Sequence, residues 1–182
     1  MKRIQVMALG PVPLDLLAEL CSGLGREFRV ECEILPGDAH PAFAFNLTRQ
    51  QYHSTEILAS LVRKATPATR HLLAVTPVDL YIPIMTFVFG EAQLQGNCAL
   101  VSTHRLRQEF YGLPADSELF RKRLLKESVH ELGHTLSLSH CENYDCVMSP
   151  SHGVEWIDLK SPCFCGECRA MIENRVRPKA AI

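Results

Sequence analysis

The sequence predicts an α/β protein built on a mixed, twisted sheet with helices packed against it. Three observations carry this. Strand-like and helix-like hydrophobic patterns alternate through the N-terminal two-thirds of the 182 residues, the pattern of a helix-covered sheet. Two short apolar runs flank Gly96-Asn97, as in a hairpin, which adds an antiparallel strand and makes the sheet mixed. Residues 141–182 differ in kind, being rich in Cys, Ser and Pro.

Residues 3–9 read as a first strand. Residues 13–24 carry Leu14, Leu17, Ala18 and Cys21 at helical spacing. Residues 28–35 alternate apolar and polar and read as a strand, closed by the turn Pro36-Gly37-Asp38. Residues 54–64 form a helix with Ser54 as its cap and Ile57, Leu58, Leu61 and Val62 as its stripe. A short buried strand follows at 71–76, then paired strands at 87–92 and 99–103. A long helix, capped by Asp116 or Ser117, runs over about 116–136 with Leu125, Val129, Leu132 and Leu136 facing a core. Beyond residue 140 irregular structure is expected until a short helix over about 165–174.

Composition excludes several classes. With 47% hydrophobic and 21% charged residues the chain is neither disordered nor fibrous. A formal net charge of −1 argues against a partner such as nucleic acid or an anionic membrane, which needs a basic face. Lys2 and Arg3 precede an apolar run that contains Gln5 and stops at Gly10-Pro11, so no clean signal core is expected. The longest apolar stretch, residues 80–90, is about half of what a membrane span needs. These features predict a cytoplasmic protein, and a monomer is expected.

Five of the eight cysteines lie beyond residue 140. In a reducing compartment such a cluster more often holds a metal than disulfides. Cys21, Cys32 and Cys98 have no partner at ligand spacing and read as core or surface thiols.

His130-Glu131-Leu132-Gly133-His134 has the form H-E-x-x-H. Spacing by four sets two imidazoles one helical turn apart on one face, as two ligands of a tetrahedral zinc require. Glu131, beside the first ligand, can act as general base on a zinc-bound water and pass the proton to the leaving amine. His140 supplies a third imidazole. The histidines share a helix face with Arg123 and Glu127, so the alternative is a solvated polar face. His140 cannot reach the other two from a continuous helix; the chain must turn back near Ser137, where a left-handed residue, normally Gly, is required.

Cys141, Cys146, Cys165 and Cys168 form two pairs at ligand spacing, the makings of a closed four-thiolate structural zinc site. Cys163 is a spare that could replace Cys165. Two Zn²⁺ per chain are therefore expected, one catalytic and one structural.

His130-Glu131-x-x-His134-x5-His140-Cys141-x4-Cys146-x-Met148, with Cys165-x-x-Cys168 downstream, resembles the archaemetzincins, a family of metzincin-clan zinc metallopeptidases. The segments Tyr81-Ile82-Pro83, Phe87 through Gln93, and Phe110-Tyr111-Gly112 also look like that family. Ser137 stands where the family's long zinc motif has Gly. The resemblance implies a single metzincin-like domain over 1–182. It would have an upper subdomain, 1–140, bearing the active-site helix, and a lower subdomain, 141–182, with the structural zinc. It implies that Met148 is the Met-turn residue under the histidines. It implies that Val88, Phe89, Gly90 and Glu91 belong to the edge strand that binds a peptide or protein substrate. The implied activity is zinc-dependent hydrolysis of peptide bonds. An inactive two-zinc peptide-binding module of the same fold is the alternative, while a zinc ribbon acting on nucleic acid fits the charge poorly. His152 and Glu155 read as surface loop residues, with a place at the border of the cleft as the alternative.

Overall fold

The computed structural model describes residues 3–65 and 71–176. Lys2, and residues 177–182 of the expected lower subdomain, lie outside the described residues.

The main sheet has five strands: β1 (Arg3–Ala8), β2 (Glu31–Ile34), β5 (His71–Thr76), β7 (Gly90–Ala92) and β8 (Cys98–Ser102). Their order is β2-β1-β5-β8-β7. All neighbours are parallel except β7, which pairs antiparallel with β8, as the Gly96-Asn97 hairpin predicts. The parallel strands are apolar on both faces because helices cover both. Ile4, Val6, Leu73, Val75, Ala99 and Val101 face α1 (Leu14–Phe28) and α3 (Ser117–Thr135). Met7, Leu72, Ala74, Cys98 and Leu100 face α2 (Ser54–Lys64). One residue of shift along any strand exchanges the two sets, so the period of two fixes which helix covers which face.

A second sheet was not foreseen. It joins β3 (Phe45–Asn46), β4 (Gln51–His53) and β6 (Leu80–Tyr81) in the order β3-β4-β6. Val88 N–H donates to the Leu80 carbonyl at 2.9 Å, so the chain between them loops out and returns to open β7. That loop is tied down. Arg49 donates to the Met85 carbonyl at 2.7 Å and Gln51 to the Thr86 carbonyl at 3.0 Å.

Several boundaries differ from expectation. α1 continues to Phe28 and ends on Arg29 in the left-handed region, φ 56°, so β2 starts only at Glu31. Ser54 is the first residue of α2 rather than its cap; its hydroxyl donates to the Tyr81 carbonyl and binds Glu91. The expected strand over 87–92 is regular only from Gly90. A short helix, α4 (Val154–Leu159), lies in the region expected to be irregular, ahead of α5 (Gly166–Val176). Cys21 and Cys32 form a disulfide and are not free thiols, because the left-handed turn at Arg29 folds β2 back along α1 and brings their Cα atoms to 5.4 Å. Cys98 is a buried free thiol, as expected.

α3 crosses the sheet and carries the motif. Asp116 caps it, accepting from Leu119 N–H at 2.9 Å. Val129 and Leu132 of the expected stripe are fully buried and Leu125 and Leu136 half-buried, while Phe120 and Leu124 add to the buried face. Arg123, Glu127, His130 and Glu131 are buried too, which overturns the solvated-face alternative. α4 packs on the preceding turns: Arg123 makes two hydrogen bonds to Asp158 at 2.7 and 2.6 Å, and Lys126 donates to the Ile157 carbonyl at 2.8 Å. Among the described residues, no helix is long and apolar enough to cross a membrane.

Candidate active site

The last two turns of α3 carry His130, Glu131 and His134. The helix ends because Ser137 adopts φ 67°. Its N–H donates to the His134 carbonyl at 2.9 Å, and Leu138 N–H to the Gly133 carbonyl at 3.1 Å, which satisfies two end carbonyls. A non-glycine residue there costs on the order of 1 kcal/mol, and the turn still forms. The chain reverses and His140 joins the other two. One ligand atom from each histidine lies within 4.8 Å of the others.

The ring protons are assigned by their partners. His130 Nδ1–H donates to the Val147 carbonyl at 2.8 Å, and His134 Nδ1–H to the Leu138 carbonyl at 2.7 Å. A carbonyl accepts and cannot donate, so each neutral ring presents a bare lone pair at Nε2. Those two Nε2 atoms stand 3.1 Å apart. Two lone pairs facing each other at that distance repel unless a cation lies between them. Two nitrogens on one tetrahedral zinc stand about 3.3 Å apart, from bond lengths of about 2.05 Å, so this donor set fits the ion. Burial, chiefly, holds His130 well below the ordinary histidine range, and lowers His134 and His140 too; neighbouring Lys160 acts in the same direction on all three. The rings are thus kept in the ligating, neutral form.

Glu131 is buried on the same helix, and burial pushes its carboxyl well above the usual range, reinforced by Glu127 and Glu91 and opposed by Lys160. Gly90 of the edge strand makes room for it: a Cβ there would lie 2.8 Å from Glu131 Oε1. Met148 lies beneath, fully buried, and a Cβ on Gly133 would come within 2.4 Å of its sulfur. The glycine inside the motif therefore lets the thioether pass directly under the helix turn.

A cleft of about 330 Å³ opens onto these groups. Residues 85–92 form one wall, Glu127, His130, Glu131 and His134 the floor, and His140, Pro150, Ser151 and His152 the other side. Val88, Phe89, Gly90 and Glu91 all lie on it. Their side chains differ in use: Phe89 is buried in the core, and the Glu91 carboxylate binds the Ser54 and Thr55 hydroxyls. Phe89 carbonyl accepts from Ser102 N–H at 2.8 Å, and Gln93 N–H donates to the Cys98 carbonyl at 3.0 Å. The alternate residues Gly90 and Ala92, opposite Val101 and Ala99, therefore aim their peptide groups away from β8. A second cavity of about 290 Å³ between α1 and α3 contains none of the histidines.

Cys141, Cys146, Cys165 and Cys168 also converge, one sulfur from each within 4.8 Å of the others. Cys165 N–H donates to Cys146 Sγ at 3.3 Å. Cys165, not Cys163, is the fourth member; Cys163 is exposed and apart.

The residues 41–174 match the model of peptidase family M54. The chain belongs to that family. M54 relatives include the archaemetzincin of Methanocaldococcus jannaschii, 44% identical over 95% of this chain and 94% of that one. The archaemetzincin of Archaeoglobus fulgidus is 40% identical over 93% and 96%. Its crystal structure in complex with malonate superposes with a TM-score of 0.80 at 39% identity, covering 93% of this chain and all but 1% of that one, 99% being matched. A zinc-dependent peptidase from Methanocorpusculum labreanum superposes at 0.84 with 31% identity, over 93% and 99%. As a member of M54 the chain is a zinc metallopeptidase, and its substrates are peptides or proteins.

Sequence reasoning missed parts of this M54 site. His152 is exposed, as expected of a surface residue, and also lines the cleft, edge-on against Trp156 with ring centres 5.8 Å apart. Glu155 does not line it. Lys160 gave no signal at all, yet it is buried against Glu127 at 2.9 Å. Glu127 could have been found: it lies four residues before Glu131, on the same helix face.

Proposed function

We propose that this M54 member cleaves peptide bonds with Glu131 as general base and with two zinc ions per chain. His130, His134 and His140 would hold the catalytic ion; Cys141, Cys146, Cys165 and Cys168 would hold a structural one. The observation that carries this is the facing pair of unprotonated Nε2 atoms beside a buried carboxylate. The bound zinc supplies a water of near-neutral pKa and polarises the scissile carbonyl. The chain's own residues do the rest. Glu131 takes the proton of the attacking water and returns it to the leaving amine, a task suited to a carboxyl whose pKa burial has raised. Met148 forms the apolar floor that keeps the histidine end of α3 in place.

The edge strand is the proposed substrate wall. The outward peptide groups of Gly90 and Ala92 can pair with an extended substrate as an added strand. Val88, Phe89 and Glu91 would act as its frame, fixing that strand to the sheet. The division proposed is an upper part, 1–140, carrying sheet and active-site helix, and a lower part from residue 141 held by the cysteine site.

The test is Glu131→Ala. It should keep zinc at the wild-type stoichiometry and lose hydrolysis of a fluorogenic peptide library by about 10²–10⁴-fold. Equal activity would reject the mechanism.

A further inference from the structure

Two cations are buried among the described residues, Arg123 and Lys160. Arg123 is accounted for by Asp158. Lys160 is not accounted for by stability. Its side chain is 1% exposed and meets Glu127, 4% exposed, at 2.9 Å. Taking both charges out of water is costly, and an apolar pair of similar volume is often as stable or more so.

Its position suggests another reason. The ammonium also donates to the Ser149 carbonyl at 3.1 Å. Ser149 follows Met148, and Val147 before it accepts the proton of His130 Nδ1. Glu127 lies one turn before Glu131 and lines the same cleft. Lys160 thus joins the second carboxylate of the cleft to the strip of chain that orients the first histidine. It also stands opposite Glu127 as its counter-charge. Left alone, that carboxylate would be an unpaired buried anion one turn from the base.

Resting on the reading above, we propose that Lys160 is a positioning residue of the active site. Through Glu127 and the Ser149 carbonyl it fixes the strip from Val147 to Ser149 against α3 and neutralises the cleft's second acid.

The experiment compares wild type, Lys160→Met and the double variant Glu127→Leu/Lys160→Met. Each is measured for melting temperature, for kcat and KM on one peptide substrate, and for affinity of the histidine site for zinc ion by chelator competition. Lys160→Met leaves Glu127 unpaired and should melt lower. The double variant removes both charges and should recover most of the melting temperature. The proposal expects it to remain impaired, with kcat down about tenfold or more at nearly unchanged KM and zinc affinity down by about tenfold, the effect typical of groups that orient metal ligands. Recovery of kcat and zinc affinity together with melting temperature would overturn it, showing a structural pair only. If only the double variant folds, it decides by the same readouts. Failure of the underlying reading looks different: Glu131→Ala would then hydrolyse peptide as wild type does, whatever stands at position 160.

Discussion

Gly90 lies against Glu131 so closely that a Cβ added to the glycine would stand 2.7 Å from the glutamate Cγ and 2.8 Å from its Oε1. Gly90, whose peptide group is proposed to face the substrate, thereby also limits where the Glu131 carboxyl, the proposed general base, can sit. The same Cβ would meet the Leu100 carbonyl at 2.6 Å, so the strand cannot simply slide away.

Gly90→Ala should therefore displace the Glu131 carboxylate. Peptide hydrolysis is expected to fall by at least about tenfold, since a misplacement near 1 Å can cost about 10²-fold. Overpacking should lower stability by about 1–3 kcal/mol. Zinc content should not change. Activity assays beside thermal unfolding and elemental analysis check all three, and wild-type kcat in this variant would refute the contact's role.

Gly133→Ala acts from below. Its Cβ would overlap the Met148 sulfur at 2.4 Å and approach Phe164 at 3.3 Å. The methionine is fully buried and has little room to yield. A loss of about 1–3 kcal/mol in unfolding free energy is expected, read from denaturant titration. Combined with Met148→Ala, which removes the overlapping sulfur, the double variant should lose less stability than the sum of the two single changes; strict additivity would place the strain elsewhere.

Much of this was legible in the sequence, for identifiable reasons. His130, Glu131 and His134 announce themselves by spacing, and His140 follows because only a chain reversal can bring it in. Ser137 marks that reversal and does adopt a left-handed backbone. Other features left no periodic trace. β3 and β6 have two residues each, too few to show alternation. α4 has six residues, less than two turns. Cys21 and Cys32 sit on a helix and a strand, a spacing of 11 that resembles no ligand pattern, and only the turn at Arg29 pairs them. Lys160 is a lone cation in sequence; its meaning arises from α4 packing on α3.

Removal of the metal proposed at the four cysteines should loosen the lower part of the chain. Burial pushes the Cys146 and Cys168 thiols above their ordinary range, so without a cation these two stay protonated, and nothing then cross-links the four side chains. After complete zinc removal by a strong chelator, limited proteolysis should cut within residues 141–176 at least about tenfold faster, while the main sheet keeps its protection. Unchanged cleavage there would mean that packing of Phe164 on Phe28 and the Arg169–Glu27 pair suffice without metal.

On the proposed reading the chain builds two separate metal centres, one from three histidines and one from four cysteines. The most direct measurement is zinc per chain in purified protein beside His130→Ala. Two zinc ions per chain should fall to one. One zinc in both proteins, not raised by added zinc, would contradict it.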